Sequence, residues 1–236
     1  MPLKITNIKI PAGNTLKGAF PVVSYGSVQF TGPFSQFLSV PNDNAFNIGT
    51  DDFTVEWWQY QISLSPAPYA RVWEIGPYNG TVLGISLEAA TPIANIWLNG
   101  SAYVFDVLTI PMSQWNHFAL VRSSGVVTLY LNGAVATSFS YATAINDTST
   151  PLTVGAESND VGATQFEGYV TNFHFVNGTA LYNNPFVPHR DTIIPVKNTK
   201  LLLLAESGDR MLHDYSSLNK TVTNNNNAVW SALTPF

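Results

Sequence analysis

The chain of 236 residues contains no cysteine, which excludes disulfides, zinc–thiolate sites and thiol nucleophiles together. Charge is nearly as scarce: Asp, Glu, Lys and Arg make up 11% of the residues, less than half the usual quarter. Ten basic side chains stand against 15 acidic ones for a net charge of −5, and no basic run occurs. Nucleic acid, whose binding needs clustered Lys and Arg to release counterions, is excluded as a partner. No segment approaches the roughly 20 consecutive apolar residues of a membrane-spanning helix. In residues 1–20 the apolar side chains are broken by Pro11 and Gly13, so the continuous apolar core of a signal peptide is missing and the chain is expected to be made without an export signal.

What is present is apolar and neutral. Hydrophobic residues make up 45% and aromatic residues 13%, leaving a surface built largely from Ser, Thr, Asn, Gln and Gly. Such a surface loses little electrostatic energy when covered by other protein copies or by neutral sugars. Apolar residues recur at period two in short runs bounded by Gly, Pro and Asn, the pattern of strands, and helical spacing is scarce. In 126–131, Val127, Leu129 and Leu131 fall on one face and Thr128 and Tyr130 on the other. That run ends in Asn132-Gly133, a type I′ turn signal, and continues as 134–139. A second hairpin runs from 96–98 through Asn99-Gly100 into 102–105.

Further strands are expected at 27–30, 36–40, 53–62, 70–75, 82–87, 117–122, 152–154, 168–176 and 200–204, at the spacing of an all-β sandwich. Residues 53–58 are apolar on both faces, which predicts a second covering layer of loops or a neighbouring subunit. The fold class is therefore all-β, an antiparallel jelly-roll sandwich with few or no helices. Residues 1–25, punctuated by Pro2, Pro11, Gly13, Gly18 and Pro21, read as an extended arm. Residues 26–236 read as one domain whose apolar ending, Val229, Trp230, Leu233 and Phe236, packs back on the body.

The order of several fragments carries a resemblance. These are Ser27-Val28-Gln29-Phe30 with Phe37-Leu38-Ser39-Val40-Pro41, Asp52-Phe53-Thr54-Val55-Glu56-Trp57-Trp58, Trp115 through Arg122, Thr128-Leu129-Tyr130-Leu131-Asn132-Gly133, Leu152-Thr153-Val154-Gly155 and Phe166-Glu167-Gly168-Tyr169. In this order the chain resembles laminin-G-like jelly-roll domains of the concanavalin A-like superfamily. The later stretch Asn177-Gly178-Thr179-Ala180-Leu181-Tyr182, with Thr199-Lys200-Leu201-Leu202, is similar to the phage and viral subgroup in particular. The resemblance implies the sandwich and leaves function to the sites, since such domains include lectins, adhesion modules, glycan hydrolases and structural proteins.

No catalytic constellation emerges. The paired carboxylates on one strand that the resemblance implies for a glycan hydrolase are missing, because Glu56, Glu74 and Glu88 lie singly on three predicted strands. Glu56 and His117 read as structural, and His174, His189 and His213 lack metal-ligand spacing. Candidate glycan-binding residues are Tyr78, Asn79, Tyr103 and Tyr141, in or beside predicted loops. Glu157, Asn159 and Asp160, completed by Asn79, offer the oxygen ligands that calcium takes, and calcium-binding members of the resembled superfamily place ligands after the corresponding strand. A polar turn satisfying its own backbone explains the same residues, so calcium stands as an open alternative. The expected function is a non-catalytic, glycan-recognising module on a virion or other extracellular surface. The alternative is a structural virion assembly protein, a capsid decoration or tail component, that forms homo-oligomers or docks on other virion or surface proteins, and a hydrolase comes third.

Overall fold

Asn and Gly accept positive φ at little cost, and the two Asn-Gly pairs use it: φ is 46° and 78° at Asn99 and Gly100, and 51° and 81° at Asn132 and Gly133. Both turns reverse the chain between adjacent antiparallel strands, as the sequence predicts. The computed structural model describes residues 24–31, 36–63, 69–76, 81–88, 93–104, 108–146, 149–157 and 164–236.

Among these residues, strands dominate. They begin with β1 (Ser27–Phe30), β2 (Phe37–Val40), β3 (Phe53–Gln61), β4 (Tyr69–Ile75) and β5 (Leu83–Glu88). They continue with β6 (Ala94–Leu98), β7 (Ser101–Val104), β8 (Trp115–Ser123), β9 (Val126–Leu131) and β10 (Ala134–Ser140). The last are β11 (Leu152–Val154), β12 (Gly168–Asn177), β13 (Thr199–Leu203), β14 (Thr223–Asn225) and β15 (Val229–Ser231). The helical content is two 3-10 turns, Asn44–Phe46 and Gly208–Arg210, and no helix of the described residues is long and apolar enough to cross a membrane.

The strands form two antiparallel sheets. One runs β10-β9-β8-β3-β12-β1-β15, with β13 pairing beside β1 along the length of β12. The other runs β14-β2-β11-β4-β5-β6-β7. Between them lies one large apolar core, in which Trp57 stacks on Phe118 at 5.2 Å and meets Trp73 of the opposite sheet edge-on at 5.7 Å. The C-terminal segment is part of this body. Strand β15 pairs with β1, and the indole nitrogen of Trp230 donates to the Ala205 carbonyl at 2.9 Å. Ser24 and Tyr25, read from sequence as the end of the arm, pair with the body through Ser207 and Glu206; residues 1–23 lie outside the described residues.

An extra residue in β12 controls what faces outward. Register slips between Thr171 and His174, where two residues, Asn172 and Phe173, oppose one of β3, a bulge that reverses strand parity. Asn172 takes φ 50°, a left-handed value that asparagine tolerates. Val170, Phe173 and Phe175 consequently all reach the core, and His174 arrives on the outer face opposite Glu56.

The outer side of β3, β8 and β9 is covered by the chain itself. A strap after β12 packs Ala180, Tyr182 and Phe186 on Ala119, Val121 and Tyr130. Its backbone is pinned by Leu181 N to Thr54 Oγ1 at 2.9 Å and Phe186 N to Gly133 O at 2.9 Å. The indole of Trp58 donates to His189 O at 3.2 Å. Gly133 serves twice, because a Cβ there would sit 1.8 Å from the Phe186 carbonyl oxygen. Beneath the strap, Glu56 accepts from His174 Nδ1 at 2.9 Å, from Tyr182 at 2.7 Å, and meets His117 Nε2 at 3.3 Å. Burial alone would push this carboxyl up, but the two imidazoles bring it down to about 2.

Tyr182→Phe removes one charge-assisted bond to Glu56 and keeps the ring stack on Phe186. We expect a loss of about 2 kcal/mol in unfolding free energy, measured by denaturant titration at pH 7, with an unchanged m-value.

Candidate functional site

The outer face of the seven-stranded sheet is built by alternation. Leu83, Ile85 and Leu87 of β5 and Ala94, Ile96 and Leu98 of β6 enter the core, so Gly84, Ser86 and Glu88, with Asn95 and Trp97, fall on the other side. Strand β4 reaches that side by another bulge. Register slips between Arg71 and Trp73, so Arg71 pairs with Ser86 and Glu74 with Gly84. Two residues three apart in sequence thus share one face, and Arg71 Nε lies 3.0 Å from Glu74 Oε2. Gly84 is required by this closeness, since a Cβ on it would lie 2.7 Å from Glu74 Cβ and 2.8 Å from the Trp73 carbonyl oxygen.

These side chains are buried although they face away from the core. Arg71, Glu74, Ser86, Asn95, Thr153 and Glu157 are all at most 1% exposed, and Trp97 is half-buried. The Arg71 guanidinium lies over the Trp97 ring at 4.3 Å, and the indole nitrogen donates to Ser86 Oγ at 2.7 Å. Thr81 Oγ1 donates to Glu74 Oε2 at 3.1 Å. Glu157 follows β11, with its backbone nitrogen donating to Thr164 Oγ1 at 3.2 Å, and Thr164 O accepts from Arg71 N at 2.7 Å. Two carboxyls and one guanidinium therefore lie together in a dry setting. Burial, reinforced by the charge of Glu157 and only partly offset by Arg71, pushes Glu74 up to about 7. Several polar atoms find no hydrogen-bond partner among the described residues: both amide atoms of Asn95, the Thr153 hydroxyl and Glu74 Oε1.

The residues proposed from sequence distribute unevenly. Glu157 joins the Arg71–Glu74 cluster. Tyr141 does not: its ring packs against the core and its hydroxyl accepts from Asn99 Nδ2 at 2.9 Å. Tyr103 stands opposite Ile96 in β7, and only its backbone is described. Tyr78, Asn79, Asn159 and Asp160 lie outside the described residues. Among the described residues no group of three His, Asp or Glu side chains could hold a metal ion. Arg71, Ser86, Asn95, Trp97 and Thr153 were missed by sequence reading. The polar–apolar alternation in 83–88 and 94–98 carries a signal for three of them, whereas Arg71 and Glu74 share a face only because of the bulge.

The sandwich and its polar outer face define a class, and the family model for the concanavalin A-like lectin/glucanases superfamily matches residues 31–181. The chain belongs to that superfamily. A search of curated proteins finds no match. Among solved structures it is similar to a candidate carbohydrate-binding protein from Bacteroides ovatus, with TM-score 0.65 and 13% identity over 89% of this chain and 62% of that one. It is also similar to the native heptameric SAP-like pentraxin from Limulus polyphemus, with TM-score 0.57 and 12% identity over 90% of this chain and 95% of the pentraxin. The chain thus spans 62% of the length of the Bacteroides protein.

The raised Glu74 carboxyl dictates a pH dependence. Below 4.5, its ordinary value, folded and unfolded chains both carry the proton and its burial adds no pH-dependent cost. Between 4.5 and about 7 the unfolded chain releases the proton while the folded chain holds it, so this group's contribution falls with rising pH and levels off above 7. The drop amounts to about 3 kcal/mol. Glu74→Gln should remove it, so the stability difference between variant and parent, measured by denaturant unfolding from pH 4.5 to 8, should move in the variant's favour across that window and nowhere else.

Proposed function

We propose that the chain is a non-catalytic carbohydrate-binding module whose ligand docks on the outer face of the seven-stranded sheet. The observation that carries this reading is the set of buried polar atoms around Trp97, above all the Asn95 amide, which lacks a partner among the described residues. A folded chain rarely leaves such groups unpaired, and a sugar hydroxyl both donates and accepts, as an amide requires. Trp97 is half-buried, with Arg71 over its ring, and aromatic surfaces pack against the C–H faces of sugar rings. The superfamily membership and the fold shared with the Bacteroides protein support the same ligand class. Placement on a virion or other extracellular surface belongs to this reading and rests on the sequence resemblance alone.

A second reading, glycoside hydrolysis, has one observation in its favour. Glu74 holds a proton up to about pH 7 beside the Glu157 charge, and a hydrolase needs one protonated and one ionised carboxyl. Arg71 already binds Glu74, which suits a structural pair better than an acid poised at a scissile bond.

Isothermal titration of the full chain against neutral oligosaccharides, with and without calcium, tests the proposal. Asn95→Ala and Trp97→Ala should each weaken binding by tenfold or more, and no reducing ends should be released. Unchanged affinity in both variants would overturn the reading, and product formation abolished by Glu74→Gln would establish hydrolysis instead.

A further inference from the structure

The eight-stranded sheet has a recess of its own, on the opposite side of the molecule from Trp97. Strands β8, β9 and β10 make its floor and Tyr182-Asn183 of the strap one wall, enclosing about 330 Å3. Its lining carries hydroxyls and an amide, at Ser123, Thr128, Ser138 and Asn183, with the exposed Val135 beside them. No lining residue bears a charge.

Tyr130 gives the recess its specific feature. The residue is 3% exposed, and its ring is fixed by Tyr182 at 6.4 Å and Phe186 at 5.4 Å. Burial alone pushes its phenol up. Thr128 Oγ1 and Ser138 Oγ lie 2.9 Å apart across the strand pair, leaving each hydroxyl further capacity to accept. The floor therefore presents the Tyr130 phenol beside the Thr128–Ser138 hydroxyl pair, with the Val135 side chain as an apolar step.

We propose that this recess is a second binding site, separate from the seven-stranded sheet, for a neutral polyhydroxylated ligand, one or two sugar units of a glycan. Charge decides the class: an anion or cation entering here would lose hydration and meet no counter-charge, whereas a sugar exchanges hydroxyl partners one for one. Size agrees, since the recess falls at the low end of the roughly 300–1,000 Å3 of small-ligand sites. The strap is part of the site, so the segment that covers β3 also shapes a wall for the ligand. The site stands whether or not the seven-stranded face binds sugar.

Amide chemical-shift mapping of the full chain with maltotriose, cellotriose, xylotriose and mannotriose as probes tests this. At least one probe should shift Thr128, Tyr130 and Ser138, and the shifts should persist in Trp97→Ala. Ser138→Arg, an exposed position where a long charged side chain fills the recess, should weaken that binding at least tenfold. Tyr130→Phe, which removes only the hydroxyl, should weaken it several-fold. Absence of shifts at these residues with all four probes, or an affinity there unaffected by Ser138→Arg, would overturn the proposal.

Discussion

Strand parity is the constraint on which both faces of this sandwich depend. A strand sends successive side chains to opposite sides, so a regular β4 would put Arg71 and Glu74 on opposite faces, and a regular β12 would expel Phe173 from the core. One extra residue in each strand resolves both conflicts. At Val72 the bulge lets two consecutive residues, Val72 and Trp73, enter the core while Arg71 and Glu74 meet outside. At Asn172 it keeps Phe173 and Phe175 inside and delivers His174 to Glu56. Removing either bulge would invert every side chain beyond it, and with it the Trp73–Phe173 contact at 5.8 Å that helps join the sheets.

Glu56 and Glu74 show how differently the two outer faces are finished. Both are nearly inaccessible, at 2% and 1% exposure, yet one carboxyl is held near 2 and the other near 7. Burial acts in the same direction on both. The difference lies in the neighbours. Glu56 collects two imidazoles and a phenol, whereas Glu74 has a single guanidinium beside it, feels the charge of Glu157 and keeps one oxygen unpartnered among the described residues. Desolvation of a carboxylate is offset only by donors in number, so both Glu56 oxygens are paired while His117 Nδ1 is left over, and Glu74 keeps an oxygen without a partner among the described residues.

Much of the fold was legible because it rests on local rules. Asn-Gly at 99–100 and 132–133, period-two runs such as 126–131, and the two-sided apolar run 53–58 each have a physical meaning before any tertiary contact is known, and the structure supplies the turns, strands and covering strap they imply. The candidate site was much less legible. Sequence reasoning sought it in loops rich in Tyr, Asn and Asp, because exposed aromatics and oxygens mark binding there, and Glu157 alone of those residues joins the described cluster. Asn95 and Trp97 sit in a strand whose alternation reads equally as solvent-facing polarity. Arg71 and Glu74 read as facing apart until the bulge is known. Tyr141 illustrates the converse: a loop aromatic whose hydroxyl and ring are both engaged by the body.

Stability by itself gives no reason for the polar lining of the seven-stranded sheet. Each buried donor or acceptor without a partner costs about 1–3 kcal/mol, and a well-packed apolar residue at position 95 or 153 would avoid that cost at similar volume. The eight-stranded face pairs both oxygens of its buried carboxylate and both ring nitrogens of His174, the second with the Thr199 hydroxyl, while His117 Nδ1 and the Thr171 hydroxyl have no partner among the described residues. The proposed site rests on how many such atoms gather around Asn95, Thr153 and Glu74 on one face. In the proposed site, the atoms left unpaired among the described residues are the ones a hydroxyl-bearing ligand would pair.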